Sequence, residues 1–284
     1  MTLHEKTILI TGGTGSLGQA IVTRILRLQD PEKPHKIIVY SRDEYKQWQM
    51  RQNLGGDPIR YFIGDVRDRD RLYRAFRGVD IVIHTAAMKH VDICDYNPDE
   101  AIKTNITGAQ NVVDAATWCG VERVLAVSSD KAVDPANHYG ATKLAADRLF
   151  LNAGSLSGER TKFAIFRPGN FIGSRGSVVP KWRKMIADGA TSIPITDNRM
   201  KRYFITINKA ARLTLTATTQ MEGGEVFVPK MPEISIKCLA ENLFPEIETE
   251  EIGAKPGEKI TERLLTDEER SRVVEDENFF IVGG

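Results

Sequence analysis

The chain has 284 residues, of which 41% are hydrophobic and 27% charged, a composition ordinary for a globular protein with a full hydrophobic core. Its formal net charge of +1 excludes the strong positive field typical of nucleic-acid-binding proteins. The three cysteines, Cys94, Cys119 and Cys238, fit neither a disulfide framework nor a Cys-x-x-Cys zinc site, so we expect free thiols and no metal. No signal-peptide pattern and no apolar run of about 18 residues occurs, which predicts a cytoplasmic protein with no membrane partner.

Short apolar runs alternate with stretches of helical spacing along the first part of the chain. We predict strands at residues 7–11, 36–40, 61–63, 80–84, 123–128 and 163–167, and helices at 17–27, 69–76 and 106–118. This alternation is typical of right-handed βαβ units, and near-continuous apolar strands fit a sheet covered on both faces. The sequence therefore predicts an α/β fold with a Rossmann-type doubly wound parallel sheet.

The pattern changes after about residue 169, where glycine, proline and charged residues become frequent and the periodicity weakens. We predict a Rossmann domain over residues 1–169, completed by return segments near 191–220. Residues 170–284 are expected to form a smaller α/β region that mainly binds substrate.

A glycine-rich loop joins the first predicted strand to the first helix. Gly12, Gly15 and Gly18 form a Gly-x-x-Gly-x-x-Gly motif. Glycines permit a tight turn and a close approach of backbone N–H groups to a pyrophosphate, beside the positive end of the helix dipole. The strand–loop–helix context favours a dinucleotide site over an ordinary glycine-rich turn. The residues predicted to contact the dinucleotide here are Gly12, Thr14, Gly15, Ser16, Leu17 and Gly18.

The end of the second strand bears on the choice of cofactor. An NAD enzyme usually places an acid here to bind the ribose hydroxyls, whereas this chain has Ser41, Arg42 and, one turn further, Lys46. A hydroxyl and two cations suit a 2′-phosphate, which favours NADP over NAD. Asp43 is the counter-argument, and a solvated run of charges is the alternative.

Asp65 and Val66 follow the third predicted strand. We predict that they hold the adenine of the cofactor. Asp65 is equally suited to cap the helix that begins near Arg69.

A second motif, Tyr-x-x-x-Lys at Tyr139 and Lys143, places both side chains on one helix face. A lysine cation beside a phenol lowers the phenol's pKa, which would make Tyr139 a base near neutral pH. The motif alone is common on surface helices. Ser129, Asp130 and Lys131 stand just upstream at the end of an apolar strand, where ligands gather in open α/β sheets. Together the motifs predict an active site.

These motifs resemble the extended short-chain dehydrogenase/reductase family. Within it, the chain resembles the UDP-N-acetylglucosamine 4,6-dehydratases that start pseudaminic acid and related bacterial sugar pathways. The strings that carry this resemblance are Tyr40-Ser-Arg-Asp-Glu44, Arg60-Tyr-Phe-Ile-Gly-Asp-Val-Arg-Asp68, Ala86-Ala-Met-Lys-His-Val91, Tyr139-Gly-Ala-Thr-Lys-Leu144, Gly173-Ser-Arg-Gly-Ser-Val-Val-Pro180 and Pro256-Gly-Glu-Lys259. The resemblance covers residues from about 6 to about 265.

The resemblance implies a catalytic sequence with tightly bound NADP regenerated each turnover. Tyr139 would take the C4 hydroxyl proton while the C4 hydride passes to NADP. Lys131 would then abstract the C5 proton, Asp130 would protonate the departing C6 hydroxyl, and the hydride would return to C6. Related dehydratases that retain configuration have Asp-Glu at this position, so the resemblance links Lys131 to inversion at C5. The alternative for Asp130 and Lys131 is an ion pair at a helix start.

Further roles follow from the resemblance, each with surface or loop chemistry as the alternative. Ala86, Ala87 and Lys89 would contact the cofactor, Lys89 would also touch substrate, and Ser129 would hydrogen-bond the sugar. The other residues predicted to contact the UDP-sugar are Asn170, Val178, Val179, Pro180, Thr196, Met200, Arg202, Lys255 and Glu258.

The sequence departs from the family pattern at three places. The family more often has Tyr where Pro168 stands, Arg where Lys255 stands and Pro where Asp92 stands. Lysine lacks the bidentate donors of arginine, so Lys255 would weaken or alter UDP recognition. Asp92 adds a carboxylate near the substrate entrance. These differences bear on the substrate and product, not on the fold.

The complete set of Tyr, Lys, Asp and Lys favours a C5-inverting UDP-N-acetylglucosamine 4,6-dehydratase. The alternatives are a UDP-sugar 5,6-dehydratase that releases a 5,6-ene, a C4 epimerase that would not need Asp130 and Lys131, and a non-catalytic NADP-binding protein. By analogy with relatives, we expect a homo-oligomer, dimer or hexamer, with helices around 102–116 and 144–151 at a dimer face.

Overall fold

The computed structural model describes residues 3–29, 32–156, 158, 160–254 and 256–283. Its strands are β1 (Thr7–Thr11), β2 (Lys36–Ser41), β3 (Ile59–Ile63), β4 (Ile81–His84), β5 (Arg123–Val127), β6 (Lys162–Phe166), β7 (Asn170–Ile172), β8 (Ser192–Ile195), β9 (Lys201–Thr206), β10 (Val226–Pro229), β11 (Glu233–Ser235), β12 (Glu248–Glu251), β13 (Val273–Glu275) and β14 (Phe279–Val282). Its α-helices are α1 (Ser16–Leu26), α2 (Glu44–Leu54), α3 (Arg69–Ala75), α4 (Val91–Tyr96), α5 (Pro98–Ile102), α6 (Gly108–Cys119), α7 (His138–Leu156), α8 (Val178–Ala187), α9 (Ile207–Gln220), α10 (Ile236–Leu243) and α11 (Asp267–Arg270). A π-helical turn (Lys103–Thr107) precedes α6, and a 3₁₀ turn (Asp130–Ala132) follows β5.

The large sheet has the order β13-β14-β10-β6-β5-β4-β1-β2-β3. Its strands from β3 to β6 pair in parallel in the order 3-2-1-4-5-6, which is the doubly wound arrangement of dinucleotide-binding folds. β10 adds a further parallel strand, and β14 and β13 extend the edge antiparallel. The predicted α/β fold is confirmed, and each of its six predicted strands forms.

Both faces of this sheet are covered because its strands are apolar on both sides. In β1, Ile8, Leu9 and Ile10 have no solvent exposure. One hydrophobic cluster joins the sheet to α1 and α9, and another joins it to α3, α6 and α7. A crevice opens at the carboxyl ends of the strands, between the parallel strands β1 and β4, where the strand order reverses.

The C-terminal part of the chain builds a third hydrophobic cluster around Trp182, with contributions from α8, β8, β9 and α10. Strands β10, β13 and β14 nevertheless enter the large sheet. Residues after 169 therefore supply both the edge of the large sheet and a separate core. The division at residue 169 stays a prediction.

Two helices that flank the crevice begin at aspartate caps. The Asp43 carboxylate accepts a hydrogen bond from the Lys46 backbone N–H at the start of α2. Asp68 caps α3, and its carboxylate accepts from the Arg71 backbone N–H. The α3 cap is thus Asp68, whereas the Asp65 carboxylate binds Arg67. In the described part of the chain, no helix combines the length and hydrophobicity needed to span a bilayer.

Candidate active site

A cavity of about 580 Å³ lies at the carboxyl ends of β1, β2, β4 and β5. Every residue predicted to bind the cofactor lines this cavity except Gly18. The lining includes Gly12, Thr14, Gly15, Ser16, Leu17, Ser41, Arg42, Lys46, Asp65, Val66, Ala86, Ala87, Lys89, Tyr139 and Lys143. The fold therefore brings residues from distant parts of the chain to one crevice.

The glycine-rich loop leaves room for a phosphate because side chains are sterically excluded from it. Gly12 has a φ of +65°, and a Cβ added there would lie 2.8 Å from the backbone nitrogen of Ala86. Gly18 packs α1 onto the loop, since a Cβ there would lie 2.6 Å from the Cα of Gly13. Gly15 precedes α1 and offers no side-chain cap, which leaves the first N–H groups of the helix for a ligand. The loop fits a dinucleotide pyrophosphate.

At the end of the cavity beside β2, the cations are already near carboxylates. Arg42 lies 3.6 Å from Asp65, and the Lys46 ammonium pairs with the Asp43 carboxylate. The hydrogen bond from Lys46 lowers the pKa of Asp43. Ser41 accepts a hydrogen bond from the Gln47 amide at 3.0 Å. Arg42 is more than half exposed, so its guanidinium remains accessible to a phosphate.

Tyr139 and Lys143 lie on α7 with both side chains buried. The Lys143 ammonium donates to the Val127 carbonyl at 2.8 Å, which ties α7 to the end of β5. Burial raises the pKa of Tyr139, and a hydrogen bond with Ser129 partly offsets this effect. We expected Lys143 to lower the pKa of Tyr139, but in the protein without cofactor the pKa is raised. Burial lowers the pKa of Lys143 as well.

A buried carboxylate that sequence reasoning missed lies two turns beyond Tyr139. Asp147 accepts a hydrogen bond from the Ser128 hydroxyl at 2.6 Å and lies 3.8 Å from the Arg167 guanidinium. Arg167 in turn donates to Glu269 at 2.8 Å. Burial raises the pKa of Asp147. The sequence signal was the spacing, because Asp147 shares the helix face of Tyr139 and Lys143.

Asp130 and Lys131 lie on the 3₁₀ turn after β5; neither lines the cavity, whereas the neighbouring Ser128 and Tyr139 do. Asp130 has no solvent exposure, and its carboxylate accepts from the Ser129 hydroxyl at 2.9 Å and from the Lys131 ammonium at 3.1 Å. Asn170 bridges the pair, since its amide oxygen accepts from Lys131 and its amide nitrogen donates to Asp130, both at 3.4 Å. Hydrogen bonds thus link Tyr139, Ser129, Asp130 and Lys131 in sequence.

Residues 174–176 close over the glycine-rich loop. The Arg175 backbone N–H donates to the Ser16 hydroxyl at 3.1 Å, and its guanidinium donates to the Thr14 carbonyl. The Lys89 ammonium donates to the Arg175 carbonyl at 2.7 Å, and burial lowers the pKa of Lys89. Arg175 also lines the cavity. Arg175 belongs to the string from Gly173 to Pro180 that carries the family resemblance, so the sequence could have pointed to it. No role was predicted for it.

The remaining predicted substrate residues are spread over the C-terminal region. Val178 and Pro180 are half-buried in the first turn of α8, Thr196 follows β8, and Glu258 is half-buried before Lys259. Val179 and Met200 are buried in the third hydrophobic cluster. The Arg202 guanidinium donates to the backbone carbonyls of Lys201, Lys259 and Ile260 and does not line the cavity. Lys255 lies outside the described residues. Their contacts with substrate stay predictions.

The sheet order, the glycine-rich loop and the Tyr139–Lys143 pair define an extended short-chain dehydrogenase/reductase. A family described as polysaccharide biosynthesis protein matches residues 8–283, and the chain belongs to that family.

The chain is also similar over most of its length to two named proteins and to one solved structure. The chain is 48% identical over 280 residues to a Campylobacter jejuni protein named UDP-N-acetylglucosamine 4,6-dehydratase (inverting). The matched region covers 98% of this chain and 83% of the relative. A Rickettsia bellii protein named UDP-glucose 4-epimerase is 37% identical over 97% of this chain and 82% of its own. The solved structure of Pen from Bacillus thuringiensis is 42% identical, with a TM-score of 0.93 over 100% of this chain and 90% of that one.

Proposed function

We propose that this protein is a UDP-N-acetylglucosamine 4,6-dehydratase that inverts C5. The observation that carries the proposal is the Asp130–Lys131 pair, held at the end of β5 and linked through Ser129 to Tyr139. An epimerase at C4 needs a base for the hydroxyl proton but no second acid–base pair for loss of water. The similarity to the named Campylobacter jejuni dehydratase supports the same function.

The chain's own residues supply the proton transfers. Tyr139 removes the C4 hydroxyl proton, which the buried Lys143 charge and the Ser129 hydroxyl assist. Once C4 is a ketone the C5 proton is acidic, and Lys131 removes it while Asp130 delivers a proton to the departing C6 hydroxyl. A bound nicotinamide cofactor supplies the exchange of hydride between C4 and C6, and its positively charged ring lowers the pKa of a neighbouring phenol. The glycine-rich loop and the lining of the cavity would hold that cofactor.

Incubation with UDP-N-acetylglucosamine in D₂O, followed by NMR, tests the proposal. We expect a 6-deoxy-4-keto sugar of L-arabino configuration with deuterium at C5. Retained configuration would contradict the role of Lys131, and a 5,6-ene would show that hydride does not return to C6. A C4 epimer formed without loss of water would support an epimerase instead. No turnover with added NADP would favour another UDP- or dTDP-sugar as the substrate, or a non-catalytic binding protein.

We infer that the cofactor is NADP, on the strength of Arg42 and Lys46 at the end of β2. Both side chains line the cavity and are partly exposed, so a phosphate could reach them. Asp43 does not compete for the ribose in this arrangement, since its carboxylate caps α2 and pairs with Lys46.

Replacing Arg42 by alanine is expected to weaken binding of 2′,5′-ADP about tenfold, the usual size of one charged hydrogen bond. Binding of 5′-AMP should stay unchanged, because it lacks the 2′-phosphate. Isothermal titration of both nucleotides measures the ratio, with Arg60→Ala, at an exposed position on β3, as the control. Equal losses for both nucleotides, or a wild-type preference for 5′-AMP, would argue for NAD.

We also propose a cytoplasmic location and a homo-oligomer, dimer or hexamer. Both rest on the analogy with relatives. Light scattering of the purified protein measures the oligomer size.

A further inference from the structure

A second carboxylate faces Lys131 from a distant part of the chain. Glu262 Oε1 lies 3.8 Å from the Lys131 ammonium, and Glu262 Oε2 lies 3.7 Å from the Lys259 ammonium. The Glu262 side chain is only 4% exposed. Its Oε2 atom is buried without a hydrogen-bond partner within the part of the chain that the structure describes. The steps at C4, C5 and C6 do not use this group.

This arrangement is costly for folding. A buried carboxylate without close hydrogen bonds loses its hydration, and contacts beyond hydrogen-bond distance replace only part of it. Burial accordingly raises the pKa of Glu262, although Lys131, Arg202 and Lys259 act in the opposite direction. A group that destabilises the fold at a reactive site points to a role in function.

The segment that carries Glu262 is fixed to the chain that follows the Lys131 turn and to β9. The Lys259 ammonium donates to the Val133 carbonyl at 2.8 Å, directly after the 3₁₀ turn. The Asn137 amide donates to the Gly257 carbonyl at 3.0 Å, and the Arg202 guanidinium holds the carbonyls of residues 259 and 260. Glu262 is therefore held in place before substrate arrives, as preorganised catalysis requires.

We propose that Glu262 is a positioning residue for proton transfer at C5, which holds the Lys131 nitrogen and stabilises the ammonium that Lys131 becomes. The inference rests on the proposed dehydratase function. In this step the C5–H bond breaks and an N–H bond forms on Lys131. The electron pair forms the C5=C6 bond as the C6 hydroxyl leaves as water with the proton from Asp130. Glu262 keeps its charge throughout and moves no proton.

Three cations and two carboxylates lie around the step in the described part of the chain. The charged and titratable groups that face Lys131, Asp130 or Glu262 are Asp130, Lys131, Tyr139, Arg202, Tyr203, Lys259 and Glu262. Among them, only Asp130 and Glu262 are carboxylates. Lys131 thus lies between two carboxylates, and after it takes the C5 proton both stabilise its charge, which is greater in the transition state than before.

Glu262→Gln tests the proposal because it removes the charge and keeps the shape. In single turnovers with UDP-N-acetylglucosamine in D₂O, the absorbance of reduced nicotinamide reports oxidation at C4, and NMR reports deuterium at C5. We expect C4 oxidation to be unchanged and C5 exchange to fall about 10- to 100-fold, the size of a misplaced reacting group. Glu262→Asp keeps the charge and should recover part of the loss. Glu250→Gln, at an exposed position on β12, is the matched control.

Stability separates this role from a structural one. Because the folded pKa of Glu262 is raised, its contribution to stability is present below the unfolded pKa and lost as pH rises through the folded pKa. At neutral pH, Glu262→Gln should therefore melt at the same or a higher temperature than wild type, with the difference shrinking as the pH is lowered. Failure of both Glu262 variants to fold would overturn the proposal, and so would unchanged C5 exchange.

A readout without turnover separates this inference from the proposed function. Trace acetylation, read by peptide mass spectrometry, reports the reactivity of the Lys131 amine, which should increase in Glu262→Gln because the nitrogen loses one carboxylate partner. A wild-type protein that does not dehydrate the sugar but shows this increase would refute the proposed function alone. A wild-type dehydratase whose acetylation and C5 exchange ignore the substitution would refute the role of Glu262 alone.

Discussion

Replacing Lys131 by methionine is expected to lower deuterium incorporation at C5 by about 10²- to 10⁴-fold, the usual contribution of a general base. Oxidation at C4 should persist, because Tyr139 and Lys143 are untouched and Lys143 is held separately by the Val127 carbonyl. Reduced nicotinamide should then accumulate, since the step that consumes it needs the C5–C6 alkene. Stopped-flow absorbance and NMR in D₂O measure the two steps on one sample.

Lys237→Met, on the exposed side of α10, controls for the loss of a lysine charge. The methionine at 131 leaves Asp130 with its hydrogen bond from Ser129, so the buried carboxylate keeps one direct partner. A Lys131→Met enzyme that exchanges C5 at the wild-type rate would exclude Lys131 as the base and leave the Asp130–Lys131 pair as a structural ion pair.

The strands in the first half of the chain can be predicted from the sequence because each is marked by a local pattern of residues. The strands β1, β2 and β4 are continuous apolar runs with glycine or charged residues at their ends, and their observed bounds lie within two residues of the predicted ones. Among the C-terminal strands, β10 and β14 are also short apolar runs, but β12 carries no such signal. β12 has the sequence Glu-Thr-Glu-Glu and forms only because it pairs with β8. Likewise, only tertiary packing places β10 beside β6.

The candidate site also contains residues that the sequence reveals and residues that only the structure reveals. The glycine-rich loop, Tyr139 and Lys143 are contained in short motifs, and the sheet order brings them together at one edge. Glu262 meets Lys131 only because a C-terminal segment folds back across the turn after β5. No periodicity or spacing in the sequence encodes that approach. The sequence therefore reveals groups that stand in a recognisable motif, and it does not reveal groups such as Glu262 that approach the site only through packing.

Replacing Tyr139 by phenylalanine is expected to lower C4 oxidation by about 10²- to 10⁴-fold. Every later step depends on the C4 ketone, so C5 exchange should fall with it, and no reduced nicotinamide should appear. This signature is the opposite of that expected for Lys131→Met, although the two side chains are linked by hydrogen bonds through Ser129 and Asp130. Tyr61→Phe, which removes a hydroxyl bonded to the Gly55 carbonyl, is the matched control.

The pH dependence of C4 oxidation gives an independent check on the same residue. Burial raises the pKa of Tyr139 in the protein alone, and the positive ring of a bound nicotinamide would lower it, so the phenolate that acts as base forms as the pH rises towards the pKa of Tyr139 in the loaded enzyme. Below that pKa, each unit of pH increases the phenolate population about tenfold, so C4 oxidation in the wild type should rise with pH. In Tyr139→Phe the residual rate should lose this dependence. A residual rate that keeps the wild-type slope would mean that another group takes the C4 hydroxyl proton, and that Tyr139 only orients the sugar.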